Sequence, residues 1–308
     1  MGNKTNIETP VLFLTFNKID TTPQVLNKIL KCKPKKLIVT SDGPRTKEDE
    51  ESIYFLRNFI DKKSEYFDIE KQFNEDNLGL KEMVSSSITK YINKYKRLII
   101  VEDDVLPSKK FFKFCDNMLD IYQNEKKINL ISGFNYLGVY LNQNAHQFSR
   151  FTDIWGWATW EDRWNNKKAL TSESLTDIKL KENIFYGTEE KKYFISNFEK
   201  VLNNELDSWA FELAFSNLYN SKLSVLPNFN LTKNIGLGHK NSTHTKNKLK
   251  YMIQTLNIRL SIFQKTNLKF QKICIDDKFN QKYLNRVIFK NTKYNSLVYK
   301  ILKLLKKV

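Results

Sequence analysis

The sequence has 308 residues, 41% hydrophobic and 13% aromatic, which is enough apolar material for a sizeable core and excludes a disordered chain. Its three cysteines, Cys32, Cys115 and Cys274, are too far apart for a CxxC metal site or a disulfide framework. The net charge of +17 is concentrated after residue 247, where fifteen Lys or Arg stand against two Asp. Because the main body is nearly balanced, we expect no nucleic-acid partner.

Neither end of the sequence predicts a membrane-spanning segment or a leader. No apolar run approaches the roughly 20 residues that a spanning helix needs. The apolar run near the N-terminus is about six residues long, and no small-residue cleavage site follows it. We therefore predict a cytoplasmic protein.

Short apolar runs alternate with longer amphipathic stretches over the first 134 residues. The predicted strands cover residues 11–16, 36–40, 67–73, 97–101 and 128–132. The predicted helices begin at residue 21 or 22 and run to about 30, then cover 46–63, 80–94 and 107–122, the last one opened by Pro107. Continuous apolar strands separated by helices are typical of βαβ units, so we predict an α/β fold with a mostly parallel sheet flanked by helices.

The pattern changes after residue 134. Four of the five tryptophans lie between Trp155 and Trp164, and helices are predicted over 191–203 and 208–220. After His244 the composition becomes rich in Lys, Asn, Ile and Leu. We therefore divide the chain into residues 1–134, a loop-rich second half of the same domain over 135–247, and a helical basic extension over 248–308.

Polar residues follow three of the predicted strands. Asn17 comes after the first strand, Asp42-Gly43 after the second, and Glu102-Asp103-Asp104 after the fourth. The carboxyl ends of parallel strands meet at one edge of the sheet, which is where α/β folds bind ligands. These three segments are therefore predicted to form one binding site.

The three consecutive acids indicate a cation. Adjacent carboxylates repel one another unless a positive charge lies beside them. Hard carboxylate oxygens at a strand end suit Mn²⁺ or Mg²⁺, with substrate phosphates supplying further ligands. The alternative is a solvated acidic turn that precedes a helix.

A segment around these acids resembles a known enzyme family. LIIVEDDVLPSKKFFKF, residues 98–114, is similar to the metal-binding segment of inverting GT-A glycosyltransferases of the N-acetylglucosaminyltransferase I type and their bacterial relatives. Other stretches resemble the family in the same order: VLFLTFNK, LIVTSDGPR, NLGLKEMVSSSI, ISGFNY, RFTDIWGWATWEDRW, LDSWAFELAF and PNFNLTKNIGLGHKNSTHT. The resemblance covers residues 10–246 or so, about three-quarters of the chain.

This resemblance implies a GT-A, Rossmann-like fold and a metal-dependent, inverting transfer of a sugar to a glycan acceptor. The donor would be a nucleotide sugar, with a UDP-sugar as the first choice. Residues 1–134 would bind the donor, and residues 135–247 would bind the acceptor and carry out catalysis. A hexosyl or N-acetylhexosaminyl unit would be transferred, in the synthesis of bacterial surface polysaccharide or lipooligosaccharide.

The resemblance also implies roles for single residues of the donor site. Asp42 would hydrogen-bond the uracil, and Asp103 would contact the ribose. Asp104 would bind the metal and bridge it to the diphosphate. The other predicted donor-binding residues are Asn17, Gly43, Arg45, Asn77, Lys81, Glu102, Trp155, Gly156 and Trp157. A turn is the alternative for the Asp42 segment, and core packing is the alternative for the tryptophans.

The same resemblance points to a catalytic base and a second metal ligand. Asp207 stands where the family keeps its catalytic carboxylate, which would remove the proton of the attacking hydroxyl, and Glu212 is the alternate base. An N-cap of the helix that follows is the other interpretation of Asp207. His244 would contribute to the metal site, ahead of His239 in the same loop. The alternative for both histidines is an ordinary surface loop.

The basic extension predicts contact with a membrane. In its last segment, VYKILKLLKKV, the residues Val298, Ile301, Leu302 and Leu305 share one helical face among lysines. Such helices bind anionic membranes, although packing on the domain is an alternative. We expect a peripheral protein on the inner face of the plasma membrane and an acceptor that is lipid-linked.

Two other classes of function remain open. A carboxylate-metal nucleotidyltransferase would share the acidic site but would want a glycine-rich phosphate loop after the first strand, which Phe16-Asn17-Lys18 does not supply. A non-catalytic adaptor for membranes or nucleic acid would be supported by the basic extension alone.

Overall fold

The computed structural model describes residues 7–140, 145–181, 183–236, 255–265 and 268–287. In these residues the strands are β1 Val11–Thr15, β2 Leu37–Ser41, β3 Ile69–Phe73, β4 Arg97–Glu102, β5 Val105–Pro107, β6 Ile128–Ser132, β7 His146–Ser149, β8 Trp157–Trp160, β9 Leu223–Pro227 and β10 Thr232–Asn234. The helices are α1 Thr22–Lys31, α2 Lys47–Ser64, α3 Leu80–Tyr95, α4 Lys109–Ile121, α5 Glu161–Asn165, α6 Ser172–Leu180, α7 Thr188–Leu202, α8 Trp209–Tyr219 and α9 Asp277–Val287, with a 3₁₀ turn at Leu260–Phe263.

One large sheet organises the described part of the chain. Its eight strands lie in the order β3-β2-β1-β4-β8-β6-β9-β7. β1 pairs in parallel with β2 and β4, β2 with β3, and β6 with β9, whereas β8 and β7 run antiparallel to their neighbours. The predicted α/β class, with a mostly parallel sheet flanked by helices, is confirmed.

The strands and helices of the first half follow from their apolar patterns. Every residue of β1, β2 and β6 is buried, as expected for parallel strands covered by helices on both faces. α1 carries Pro23 in its first turn and turns its apolar side toward the sheet. The buried residues of that side are Thr22, Val25, Leu26, Ile29 and Leu30.

One helix boundary was predicted wrongly. Pro107 does not open a helix, because Val105–Pro107 forms β5 and pairs antiparallel with Thr232–Asn234 of β10. The following helix, α4, begins at Lys109. Proline suits the first turn of a helix but also a strand edge, and the partner strand here is more than a hundred residues away in sequence.

The second half contains more regular structure than its sequence pattern indicated. The predicted helices at 191–203 and 208–220 correspond to α7 and α8. Three strands, β7, β8 and β9, join the same large sheet, and none of them was predicted. β8 is inserted between β4 and β6, so residues from both halves of the sequence form one sheet.

Part of the predicted basic extension belongs to the core of the second half. Phe279, Tyr283 and Leu284 of α9 are buried in one cluster with Phe151 and Phe198. Tyr283 stacks on Phe151 with the ring centroids 4.3 Å apart. The helix α9 is therefore a structural element of the domain.

Some predictions fall on other parts of the chain. His239, His244 and the amphipathic face at 298–305 lie outside the described residues. Within the described residues, no helix is both long and apolar enough to cross a bilayer.

Candidate active site

The segments that follow β1, β2 and β4 lie side by side at one edge of the sheet. Thr15 is the register partner of Ser41, and Leu14 is the partner of Glu102, so the three strands end together. The backbone N–H of Phe16 donates to Asp103 Oδ2 at 3.1 Å, which ties the first loop to the acidic segment. The predicted meeting of these loops at the carboxyl ends of the strands is what the structure shows.

Lys18 supplies the positive charge that the acids require. Its Nζ lies 3.0 Å from Asp103 Oδ1 and 2.8 Å from Asp104 Oδ2. Burial lowers the pKa of Lys18, but the two carboxylates outweigh it and raise the pKa above the ordinary value for lysine. The amine therefore stays protonated and holds the two carboxylates together.

The carboxylates themselves are strongly perturbed. Burial, and then the charge of Asp104, raise the pKa of Glu102 to about 8. Burial also raises the pKa of Asp103, against the opposing effect of Lys18. Among the described residues, Lys18 is the cation in contact with Asp103 and Asp104, and a further cation would reduce the repulsion within the acidic segment.

The chain after β10 packs closely against Asp104. Ile235 N–H donates to the Asp104 carbonyl at 2.7 Å, which brings the chain after β10 against the acidic segment. A Cβ on Gly236 would lie 2.7 Å from Asp104 Oδ2, so a larger residue at this position would require the Asp104 side chain to shift. Residues 234–236 therefore form one border of the acidic segment.

The residues present fit a divalent cation that is shared with a substrate. Asp103 and Asp104 provide two hard oxygen ligands, and Mg²⁺ or Mn²⁺ is often held by one or two carboxylates plus substrate phosphates. No group of three His, Cys, Asp or Glu that could hold a metal is found among the described residues. A cation here would therefore depend on ligands from the substrate, from water or from residues outside the described ranges.

Asp42 is enclosed by the protein. Its Oδ1 accepts hydrogen bonds from Gly43 N at 3.0 Å, Leu78 N at 3.0 Å and Asn74 Nδ2 at 3.3 Å. Its Oδ2 accepts from Asn77 Nδ2 at 3.0 Å and Gly79 N at 3.2 Å. A carboxylate can accept about four hydrogen bonds through its lone pairs, so these five donors use all of its accepting positions. The contact of Asp42 with uracil stays a prediction, whereas its role in shaping the 74–79 loop is visible in the structure.

Gly43 and Asn77 belong to the same arrangement. A Cβ on Gly43 would lie 2.3 Å from the Asp76 carbonyl carbon, so the two loops touch backbone to backbone. Asn77 donates both to Asp42 and to Gly43 O, the latter at 2.8 Å. Both predicted donor residues therefore help to build the edge of the site.

Arg45 and Asn17 are held by a single acidic residue of α2. Asp49 accepts from Arg45 Nε at 2.9 Å and from Asn17 Nδ2 at 2.5 Å. The guanidinium of Arg45 also lies over the ring of Phe16, 4.6 Å from its centroid. The two predicted donor residues are thus positioned together, with Arg45 largely exposed at the edge of the sheet.

Asp207 faces the same region from the start of α8. A Cβ on Gly79 would lie 3.9 Å from Asp207 Oδ2, which places the exposed carboxylate beside the N-terminus of α3. The N-cap of α8 is Ser208, whose hydroxyl accepts from Phe211 N. The N-cap interpretation of Asp207 is therefore not needed, and its carboxylate is available for other contacts.

Glu212 is committed to a salt bridge. Its Oε1 lies 2.7 Å from Lys81 Nζ, which links α8 to α3. Lys167 lies close enough for Glu212 to raise the pKa of the lysine, although burial has the larger effect and lowers that pKa to about 8. The predicted donor residue Lys81 and the alternate base Glu212 thus neutralise each other in this structure.

The tryptophans were predicted either to bind the donor or to pack in the core, and Trp157 packs in the core. Its ring stacks on Trp209 at 5.8 Å between centroids, and 1% of the residue is exposed. Trp155 is half-buried beside Phe134, with the ring centroids 4.7 Å apart. Gly156 is buried, and its carbonyl accepts from Gly133 N. Of Trp155 and Trp157, Trp155 is therefore the one that is partly exposed to solvent.

Lys18 was missed as a site residue. Its signal was its place three residues after the end of β1, next to Asn17, which the same rule did select. The sequence predicted the acids and Asp207 as site residues. It did not predict which residues contact them.

Comparisons with known proteins give no family. No family model matches the chain, and no curated protein matches it. A mannosyltransferase of Pyrobaculum calidifontis, solved with GDP-Man and Mn²⁺, is 11% identical and covers 70% of this chain and 74% of its own, with a TM-score of 0.36. Staphylococcus aureus TarS 1-349 is 13% identical over 94% of this chain and 73% of its own, with a TM-score of 0.42.

A third solved structure is also similar. The 4-diphosphocytidyl-2C-methyl-D-erythritol synthase of Anaerococcus prevotii is 9% identical over 82% of this chain and 96% of its own, with a TM-score of 0.32. TM-scores below 0.5 do not establish a common function. The function is therefore inferred from the residues of this chain.

Proposed function

We propose that this protein is a glycosyltransferase that moves a sugar from a nucleoside-diphosphate donor, a UDP-sugar in the first instance, to a glycan acceptor. The observation that carries the proposal is the grouping of Asp103, Asp104 and Lys18 at the carboxyl ends of parallel strands, within a site that Asp207 borders from another element. Parallel α/β sheets bind nucleotides at this edge.

The chemistry requires a group that stabilises the leaving diphosphate. Asp104, with Asp103 beside it toward the ribose, would hold Mn²⁺ or Mg²⁺, and the cation would act as a Lewis acid toward the developing phosphate charge. Lys18 keeps the two carboxylates together before the donor arrives. The buried partners of Asp42 hold the 74–79 loop in place, so the edge of the site is formed before the donor binds.

The acceptor needs a base on the opposite side of the transferred sugar. A sugar hydroxyl is a poor nucleophile, and removal of its proton contributes about 10²–10⁴-fold to the rate. Asp207 is exposed and makes no salt bridge with another described residue, whereas Glu212 is paired with Lys81. We assign Asp207 as the base. In-line attack then gives inversion at the anomeric carbon.

The wider role follows from the same proposal. The acceptor would be a lipid-linked glycan in bacterial surface polysaccharide or lipooligosaccharide synthesis. The transferred unit would be a hexose or an N-acetylhexosamine. The basic extension would place the enzyme on the inner face of the plasma membrane.

Product analysis tests this function. The protein is incubated with a panel of UDP-, GDP- and CDP-sugars, a set of glycan acceptors and Mn²⁺, and the released nucleotide is identified by chromatography. Release of a nucleoside diphosphate, with a new glycoside of inverted configuration by NMR, is the expected result. In a parallel incubation with nucleoside triphosphates and sugar 1-phosphates, release of pyrophosphate would instead identify a nucleotidyltransferase. A glycoside of retained configuration would contradict the inverting mechanism.

A further inference from the structure

One segment of the predicted extension lies across the surface of the domain. We call residues 255–265 and 268–275 the strap. Lys110 Nζ, in the first turn of α4, donates to Gln264 O at 2.8 Å, and Tyr122, just after α4, contacts Gln271 through its hydroxyl. Leu268 and Ile273 pack against the main core. The strap therefore follows α4 from its beginning to its end.

The middle of the strap is held by a buried glutamine. Gln264 is 2% exposed, and its Oε1 accepts from Phe229 N at 3.1 Å. Its Nε2 donates to Ala145 O at 3.0 Å. These contacts hold the backbone on either side of Gln264, so the outward side chains of the strap have a defined position.

The outward side of the strap is unusually apolar. Ile262 is 67% exposed, Phe263 62%, Phe270 59% and Ile275 40%. Single exposed apolar side chains are common on soluble proteins, but four large ones within fourteen residues indicate a surface that another apolar phase covers.

The charges around these side chains identify that phase. The strap contains Arg259, Lys265, Lys269 and Lys272 and no acidic residue. Apolar side chains flanked by basic ones match an anionic bilayer, which takes up the apolar groups while its headgroups attract the lysines. We propose that the outer side of the strap docks on a membrane that contains anionic lipids.

This surface is connected to the candidate active site. Thr255 Oγ1, at the start of the strap, accepts from Lys233 Nζ of β10 at 2.6 Å. The residues that follow on that chain are Asn234, which pairs with Val105, and Gly236, which lies against Asp104. Docking through the strap would keep the edge of the site close to a bilayer surface. The docking proposal itself does not depend on the chemistry at that site.

Vesicle sedimentation tests the docking. Purified full-length protein is mixed with sucrose-loaded vesicles of phosphatidylcholine, with or without phosphatidylglycerol. We expect binding that requires phosphatidylglycerol and weakens with salt. The affinity of the double variant Ile262→Ser/Phe263→Ser for these vesicles should fall by about tenfold or more. A matched control, Tyr66→Ser/Leu180→Ser, removes two side chains that are 79% and 77% exposed elsewhere and should bind like wild type.

A charge variant separates the two contributions. Lys265→Gln/Lys269→Gln/Lys272→Gln should weaken binding by about 100-fold, at roughly fivefold for each lysine near an anionic surface. The melting temperature of each variant shows whether it is folded. The proposal is overturned if wild type ignores phosphatidylglycerol vesicles, or if the Ile262→Ser/Phe263→Ser variant binds them as tightly as the control. UDP binding, measured on the same samples without vesicles, reports separately on the transferase proposal.

Discussion

Lys18 and Asp104 form an ion pair at the carboxyl edge of the sheet, with Lys18 Nζ 2.8 Å from Asp104 Oδ2. The same amine contacts Asp103, so one side-chain cation occupies the position between the two carboxylates that would hold a metal. A divalent cation must compete with this amine for the same oxygens. The charge of Lys18 should therefore lower the affinity of the site for a metal ion.

Replacing Lys18 by methionine should therefore strengthen metal binding. Lys18→Met keeps much of the side-chain volume and removes the competing charge, and we expect Mn²⁺ to bind about tenfold more tightly in the absence of nucleotide. Calorimetric titration with Mn²⁺, supported by the metal-induced rise in melting temperature, measures the effect. Lys35→Met, which breaks the exposed pair with Glu8, is the control and should leave Mn²⁺ affinity unchanged. Weaker Mn²⁺ binding by Lys18→Met would contradict competition.

Asp207 and Glu212 should respond differently to removal of their charge. Asp207→Asn should lower the turnover number by about 10²–10⁴-fold while UDP affinity stays within twofold or so, because the base acts on the acceptor. Glu212→Gln breaks the pair with Lys81 and should cost far less turnover. Steady-state kinetics and UDP titration of both variants provide the comparison. A larger loss of turnover in Glu212→Gln would transfer the role of base to Glu212.

Asp42 should contribute strongly to stability. Its carboxylate accepts hydrogen bonds from three backbone N–H groups and two asparagines, and Asp42→Ala would leave several of these buried donors without a partner. We expect the free energy of unfolding to fall by about 2–4 kcal/mol. Urea denaturation checks this, with Asp68→Ala, an exposed partner of Lys36, as a control that should change it by less than about 1 kcal/mol. Equal effects of the two variants would be inconsistent with this role for Asp42.

His146 should make stability depend on pH. The imidazole is fully buried, with Nε2 2.7 Å from the Tyr122 hydroxyl, and burial lowers its pKa from 6.5 to about 4. Because the folded-state pKa lies below the unfolded value, the folded state prefers the neutral ring. This contribution is fully present above pH 6.5 and is lost as the pH falls toward 4.

Unfolding measured between pH 7.5 and pH 4 tests this contribution. A difference of 2.5 pKa units corresponds to about 3 kcal/mol between the two ends of that window. His146→Gln removes the titrating group, so its stability should fall less steeply with decreasing pH than that of wild type. Parallel curves for the two proteins would show that other groups control the acid sensitivity.

The sequence predicted the elements whose signal is local. β1, β2 and β4 are continuous apolar runs, and their shared direction follows from the intervening helices, so the meeting of the acidic segment with the Asp42 loop could be foreseen. Pro107 carried a local helix signal that long-range pairing of β5 with β10 overrides. β8 lies between β4 and β6, and its tryptophan-rich sequence did not show the alternation that predicts a strand.

The partners of the site residues depended on contacts that no local pattern encodes. Asp42 meets Leu78 and Gly79, more than thirty residues later, and the resemblance that assigned Asp42 to uracil did not contain that information. α9 packs Tyr283 against Phe151, although the composition of the last 61 residues indicated a separate extension. Sequence therefore located the candidate site, and only the structure shows what surrounds each residue.

Calorimetric titration of UDP into the full-length protein tests the central claim most directly. Wild type and Asp104→Asn are titrated with Mn²⁺ and again with the metal chelated, after a melting curve has shown that both are folded. We predict micromolar binding by wild type that requires Mn²⁺ and is lost in Asp104→Asn. Folded wild-type protein that binds neither UDP nor another nucleoside diphosphate in the presence of Mn²⁺ would contradict a nucleotide-sugar transferase.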